Sequence, residues 1–496
     1  MDCAKAGGSR WRSVFAAATL AACVLAAVAC DDASGGEDGH ATPTAASQPL
    51  ADNLPVVMSA RLVCRLAADS PDALAAQITG VDGTQSALAS GTAYWFFGDT
   101  VRRSATGQDV IPASVATTDD ADASDCLDLR FKQRDGMAEP LFPRLGETTA
   151  WPDGVLPLDD GSILFYMVKA YRQSPFAWHV GSVGLGRVEP GSLEGTRLVE
   201  TIWDEHSGFG SRISGAGSVI RDGDDLLVYL RTDDGRVLLA RAPIVRAGER
   251  EAYTYWTGGD WSANASESMP IWESQPDGVL PADNGVHVTY DERLGTWLAI
   301  YNASLARVDA RTADAPWGPW SAPLPWFDCQ PLVMDRYPYC YSAQLHRHLS
   351  RDDGATIYLT FSSQQPYDVA LMEVRMGEAV HTWLDGDGRS RYAFASPGEG
   401  WRDGGVAFYA SSAAAQGLSP VYEIAGHDGY TYGLDASPGT QPVFYAYSTA
   451  QATPITTVAV AAARGNSGGL TAGDGRGKPL FYVPCAGTPA DTPGCE

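Results

Sequence analysis

Basic residues are scarce in this chain of 496 residues: 35 Lys and Arg stand against 60 Asp and Glu, a formal charge of −25. Nucleic-acid binding rests on a basic surface that neutralises phosphates, so the imbalance excludes that class, and its plain reading is solubility. Helical periodicity is almost absent over residues 56–376, which leaves β-structure to account for that span. No phosphate-cradling Gly loop with a following Lys appears. Asp385-Gly386-Asp387-Gly388 lacks the Gly and distal Glu spacing of a helix-loop-helix calcium site and reads as a turn. Gly465-Asn466-Ser467-Gly468-Gly469 mimics a serine-nucleophile loop, but no partner His with supporting context accompanies it. His346-Arg347-His348 sets two imidazoles on one face of a strand, and no third ligand is evident, so neither metal nor cofactor is expected.

What is present begins with a targeting segment. Lys5, Arg10 and Arg12 precede an apolar run over residues 14–29, broadened only by Thr19 and Cys23. The run is short for a membrane span and is followed by acid rather than base. It resembles a bacterial lipoprotein signal, with Leu20-Ala21-Ala22-Cys23 and Ala27-Val28-Ala29-Cys30 as the two candidate boxes. The first fits the usual box better. The second has the fuller apolar region before it and a polar tail after it, so Cys30 is the favoured lipidation site, with an ordinary secretory signal as the alternative. The expectation is a signal over residues 1–30, a disordered tether over 31–55, and a protein lipid-anchored to a membrane of the bacterial cell envelope, periplasmic or surface-exposed. Cys64, Cys126, Cys329, Cys340, Cys485 and Cys495 remain, an even set that suits disulfides in an exported chain. Short loops favour Cys329–Cys340 and Cys485–Cys495, leaving Cys64–Cys126, although spacing does not fix connectivity and some thiols could be free.

Short β-type runs follow one another with Asp-Gly chemistry at the bends, as in Gly217-Ser218-Val219-Ile220, the turn Arg221-Asp222-Gly223-Asp224, and Leu226-Leu227-Val228-Tyr229-Leu230. Five such clusters, unevenly spaced, predict an all-β fold: a five-bladed β-propeller over residues 56–376, which hides sheet edges by radial repetition. A β-sandwich is the alternative and would be shorter. A break over residues 377–391 separates a small C-terminal β domain, residues 382–496.

The organising stretch is Gly80-Val81-Asp82-Gly83 with Ala93-Tyr94-Trp95-Phe96-Phe97-Gly98-Asp99-Thr100. If the residues between form a hairpin, Asp82 and Asp99 reach one rim of one sheet. Two carboxyls beside aromatic walls are what glycoside hydrolysis needs. One must be protonated, and Asp99 beside Phe96 and Phe97 is a candidate; the other must stay ionised, as Asp82 in a Gly-flanked turn could. The reverse assignment is equally open. Asp153 could be a third acid tuning the pair. Trp95, Trp151, Trp178, Trp256 and Trp297 include candidate sugar-stacking platforms, most of them blade core.

These residues carry a family resemblance. Gly80-Val81-Asp82-Gly83, Phe97-Gly98-Asp99-Thr100, Trp151-Pro152-Asp153-Gly154, Leu239-Ala240-Arg241, Leu345-His346 and Pro366-Tyr367-Asp368-Val369, in that order, resemble the domain-of-unknown-function 4185 family over roughly two thirds of the chain. The resemblance implies a five-bladed propeller of endo-D-arabinanase type, with Asp82 and Asp99 as the catalytic pair and Trp95, Trp151, His346 and Tyr367 near a polysaccharide substrate. The alternative is a catalytically inactive surface propeller that binds glycan or protein. Two departures bear on activity and specificity: a Glu frequent at the start of blade four is replaced by Gly285, and the usual Pro-Thr-Gly of blade two reads Pro152-Asp153-Gly154. In the tail, Phe408-Tyr409-Ala410-Ser411-Ser412 and Gly439-Thr440-Gln441-Pro442-Val443-Phe444 resemble repeat modules appended to bacterial secreted enzymes, implying an accessory role in glycan or wall attachment.

Overall fold

The structure is a computed structural model that describes residues 53–488, 492 and 495, apart from 143–148, 175–176, 274–284, 330–331, 333–339, 427–428, 453, 463–469 and 473–478. The signal, Cys30, the tether to residue 52 and the Gly-Ser loop at 465–469 lie outside the described residues. Among those described, no helix is long and apolar enough to cross a membrane.

Five antiparallel sheets follow one another along the chain. Blade one is Thr84–Ala89, Thr92–Phe97, Ser114–Thr118 and Arg130–Phe131. Blade two is Thr149–Pro157, Ile163–Ser174, Ala177–Val188 and Gly195–Asp204. Blade three starts with Ile213–Asp222, Asp225–Thr232 and Arg236–Pro243. Blade four is Val286–Asp291, Thr296–Ser304, Arg307–Ala313 and Leu324–Asp328. Blade five takes Cys340–Leu345, Thr356–Gln364 and Tyr367–Met376 from its own stretch and its outermost strand, Val57–Arg65, from the other end of the chain. The innermost strands touch from one blade to the next, and blade five returns to blade one. The fold is a five-bladed propeller whose ring is fastened by an N-terminal strand.

The apolar runs are continuous because both faces of each blade are covered. In Ala93-Tyr94-Trp95-Phe96-Phe97, the residues Ala93, Trp95 and Phe97 pack with Tyr358, Val369 and Leu371 of blade five. The alternate residues Tyr94 and Phe96 pack with Ile163, Phe165 and Met167 of blade two. The strand period of two thus divides one run between two interfaces. The same division recurs round the ring. Leu226, Val228 and Leu230 face blade two. Leu227 and Tyr229 face blade four. Leu298 and Ile300 of blade four meet Leu359 and Phe361 of blade five. All three expected disulfides are formed: Cys64–Cys126, Cys329–Cys340 and Cys485–Cys495.

Three three-stranded sheets make the tail, around a core of its own that includes Val380, Phe408, Tyr432, Phe444 and Phe481. Its first strand, Glu378–Leu384, leaves only Gly377 between itself and blade five, so the break suggested by the sequence is already folded. Hydrophilic residues there are not a linker because alternate positions such as Val380 still reach the core.

Candidate active site

Blade one's hairpin brings the two acids together. Thr84 pairs with Phe97 on one side, and Val81 with Thr100 on the other, so Asp82-Gly83 and Gly98-Asp99 face each other where the two ladders diverge. The Gly98 N–H donates to the carbonyls of Asp82 at 2.7 Å and Gly83 at 3.0 Å, closing the gap. A Cβ at 98 would lie 2.6 Å from Asp82 Oδ1, so a side chain there would displace that carboxyl. Gly83, at φ +53°, supplies the left-handed step that turns the chain, and its N–H is anchored on Ser362 Oγ of blade five at 2.9 Å.

The two carboxyls have different surroundings. The Tyr341 hydroxyl, from the inner strand of blade five, donates to Asp82 Oδ2 at 2.9 Å. The Asp99 backbone N–H and the Tyr367 hydroxyl also bond this carboxyl. Although Asp82 keeps some exposure, the protein packed around it strips its hydration, and that burial outweighs the three donors and pushes its pKa up to about 6. Asp99 is half-buried and accepts from Trp151 Nε1 at 2.8 Å. Tyr367 stands between them: its hydroxyl lies 3.2 Å from the Asp99 carbonyl oxygen. Burial first, then the charges of Asp82 and Asp99, hold its proton well above the ordinary tyrosine value.

Burial holds the Asp82 proton towards neutrality, which suits one of the two assignments the sequence left open. Phe96 and Phe97 are fully buried in the interfaces to blades two and five and are spent on packing.

Three other expected site residues are placed differently. Trp95 is fully buried, its ring 4.4 Å from that of His346, so it offers no face to a sugar. His346 is 1% exposed, with Nδ1 2.6 Å from Ser86 Oγ and Nε2 2.8 Å from Thr360 Oγ1. Both ring nitrogens are engaged and burial keeps the imidazole neutral, so it is a core histidine that ties blade one to blade five. Asp153 accepts from Gln85 Nε2 at 3.2 Å, the Ala216 N–H at 2.9 Å and Arg231 Nη2 at 2.8 Å. Its carboxyl joins the inner strands of blades one, two and three and is consumed by that task. Trp151 and Tyr367, in contrast, are half-buried beside the acids.

Tyr341 and Gln364, whose Nε2 donates to the Tyr341 hydroxyl at 3.2 Å, were not singled out by sequence. Nothing in the chain around them distinguishes them from other blade-five residues. Gly285 has φ +133°, and a Cβ there would stand 2.7 Å from the Ala343 nitrogen and from Ser342 Cα, so no side chain fits where the resemblance would place a Glu. Among the described residues, no group of three His, Cys, Asp or Glu side chains converges on a metal position.

The model of the family described as Domain of unknown function (DUF4185) matches residues 70–373. The chain belongs to that family. The match runs from the short helix Pro71–Ala75 before blade one into the last strand of blade five's own stretch, leaving out the fastening strand Val57–Arg65, and includes Asp82, Asp99, Trp151, Tyr341 and Tyr367. No curated protein sequence matches the chain. Among solved structures, it is similar to an α-L-arabinofuranosidase from Podospora anserina in complex with cellotriose, at 13% identity and TM-score 0.40, over 65% of this chain and 98% of that one. A GH62 α-L-arabinofuranosidase catalytic domain from Coprinopsis cinerea gives 11% identity and TM-score 0.40, over 65% and 98%. An endo-arabinase from Bacteroides thetaiotaomicron gives 11% identity and TM-score 0.37, over 63% and 96%.

Proposed function

We propose that the protein is a glycoside hydrolase acting on a furanoside polysaccharide, D-arabinan-like by the family resemblance, anchored through a lipid on Cys30 to the bacterial cell envelope. The observation that carries the reading is the pair of neighbouring carboxyls held by different donors, one bonded by the Tyr341 hydroxyl and raised to about 6 by the protein packed around it, the other bonded by an indole N–H. Neighbouring carboxyls with different surroundings can divide the work of glycosidic cleavage. Asp82 donates its proton to the leaving oxygen. Asp99 serves as base or nucleophile, its charge oriented by Trp151. A half-exposed indole beside the acids also offers a flat face to the C–H side of a sugar ring.

The test is incubation with D-arabinan and a panel of other glycans. Release of products, lost in Asp82→Asn and in Asp99→Asn while both variants stay folded, supports the assignment. No release from any glycan leaves a propeller that binds glycan or protein without cutting it.

A further inference from the structure

The Tyr367 hydroxyl has two acceptors and one proton. It lies 3.2 Å from the main-chain oxygen of Asp99 and within bonding reach of the Asp82 carboxyl. Its ring packs closely on the Gly80 backbone. Tyr367 lies over Gly80, where a Cβ would stand 2.9 Å from the ring and 2.4 Å from the Tyr367 carbonyl oxygen. The hairpin tip that carries it is tied by Ser363 Oγ, which donates to the Pro366 carbonyl at 2.6 Å. The O–H can turn between the two acceptors without moving the ring.

We propose that Tyr367 is a positioning residue whose single proton switches acceptor, from the Asp99 carbonyl while Asp82 is protonated to the Asp82 carboxylate as Asp82 gives its proton up. The inference rests on the hydrolase reading for its purpose, but not for its geometry. In the reaction, the glycosidic C–O bond breaks and its electron pair stays on the leaving oxygen, which takes the Asp82 proton. The anomeric carbon is met by Asp99 or by a water that Asp99 deprotonates. Asp82 becomes an anion in a dry setting at that moment, and the Tyr367 O–H turns to it. A hydrogen bond gained only as charge develops lowers the barrier rather than tightening substrate binding. The titratable groups bearing on Tyr367 are Asp82, Asp99 and Tyr341; all three are acids, so none of them adds a positive charge to do the same work.

The experiment titrates the Asp82 carboxyl in the substrate-free protein by infrared difference spectroscopy, its band assigned by disappearance in Asp82→Asn. Tyr367→Phe keeps the ring and removes the donor, so the Asp82 midpoint rises by about one unit, tenfold in proton affinity. Placing 3-fluorotyrosine at 367 retains the shape and strengthens the donor, so the midpoint falls. On a cleaved glycan, Tyr367→Phe lowers kcat about tenfold, leaves KM unchanged and moves the Asp82 limb of the pH profile upward. A midpoint unmoved in folded Tyr367→Phe overturns the proposal, as does one unmoved by the fluorinated residue if Tyr367→Phe fails to fold. The titration needs no substrate, so an absence of hydrolysis sinks the enzyme reading alone.

Discussion

Replacing Asp82 by Asn should make the protein more stable at neutral pH while abolishing its activity. The carboxyl's ordinary value is 3.8 and burial raises it to about 6 in the folded chain. A rise of about two units corresponds to about 3 kcal/mol between the charged and neutral forms. The sign follows from linkage: between these two values the folded state holds more protons than the unfolded state, so stability falls as pH rises through the window. Above about pH 6 the native protein bears the full cost of the buried anion; below 3.8 it bears none. An amide carries no charge, but its NH2 meets hydroxyls oriented as donors, a loss of about 1 kcal/mol. The Asp82→Asn variant should therefore be about 1–3 kcal/mol more stable than wild type at pH 8. Near pH 4 it should be equal to wild type or slightly weaker. Urea unfolding at pH 8, 6 and 4, followed by tryptophan fluorescence, measures the difference, and other titrating groups cancel in the comparison. A difference that does not change with pH, or a variant weaker at pH 8 than at pH 4, would refute the claim that Asp82 sits in a dry environment.

Trp151→Phe removes the 2.8 Å donor to Asp99 and leaves an aromatic face, so kcat on a cleaved glycan should fall about tenfold with the fold intact; an unchanged kcat shows that the indole N–H does not orient the acid. Arg231→Met leaves Asp153, 8% exposed, without its cation among the inner strands, and should cost about 3–5 kcal/mol in urea unfolding. Restoring most of that loss with Asp153→Asn in the same chain would identify the pair as a structural tie. Opening Cys64–Cys126, which spans a sequence separation of 62, by Cys64→Ser with Cys126→Ser should lower stability by about 2–4 kcal/mol, because the bond joins the fastening strand of blade five to blade one.

The propeller was legible because its signal is local. Each blade repeats strand-length apolar runs parted by tight bends, as at Asp160-Gly161 and Asp222-Gly223, and those are fixed by neighbouring residues. The hairpin from Thr84 to Phe97 turns through Ser90 and Gly91, both at positive φ, and this local turn brings Asp82 back to Asp99. Residue type did not reveal what comes from other blades. Whether Trp95 faces sugar or core depends on His346, some 250 positions away in the chain and adjacent only after the ring closes. The surroundings of the acids were hidden for the same reason. The aromatic residues next to Asp99 in sequence point into the blade interfaces, while the groups that dry and bond Asp82 arrive from blade five. Asp153 is equally a product of assembly, since two of its three partners lie on blade three and one on blade one.

The tail bears on the ring more directly than an appended module would. Ser47–Tyr171 and Val180–Glu496 form one compact unit. Tyr447 donates its hydroxyl to the Met58 carbonyl of the fastening strand, and the Leu54 N–H donates to Tyr409 at 2.7 Å. The Asp328 N–H donates to the Pro454 carbonyl at 2.8 Å, and Ile455 is buried in the core between blades four and five. A propeller opens most readily where its two chain ends meet, since no covalent backbone crosses that seam within the blade. These contacts hold that seam from outside. Ile455→Asp sets a carboxyl in the core of blades four and five and should destabilise the propeller by about 2–4 kcal/mol. Tyr447→Phe should cost about 1 kcal/mol. Hydrogen exchange should show the loss first in Val57–Arg65 and its partner Tyr367–Met376, which carries Tyr367 itself. If exchange in those strands is unchanged in Ile455→Asp, the tail does not brace the ring closure.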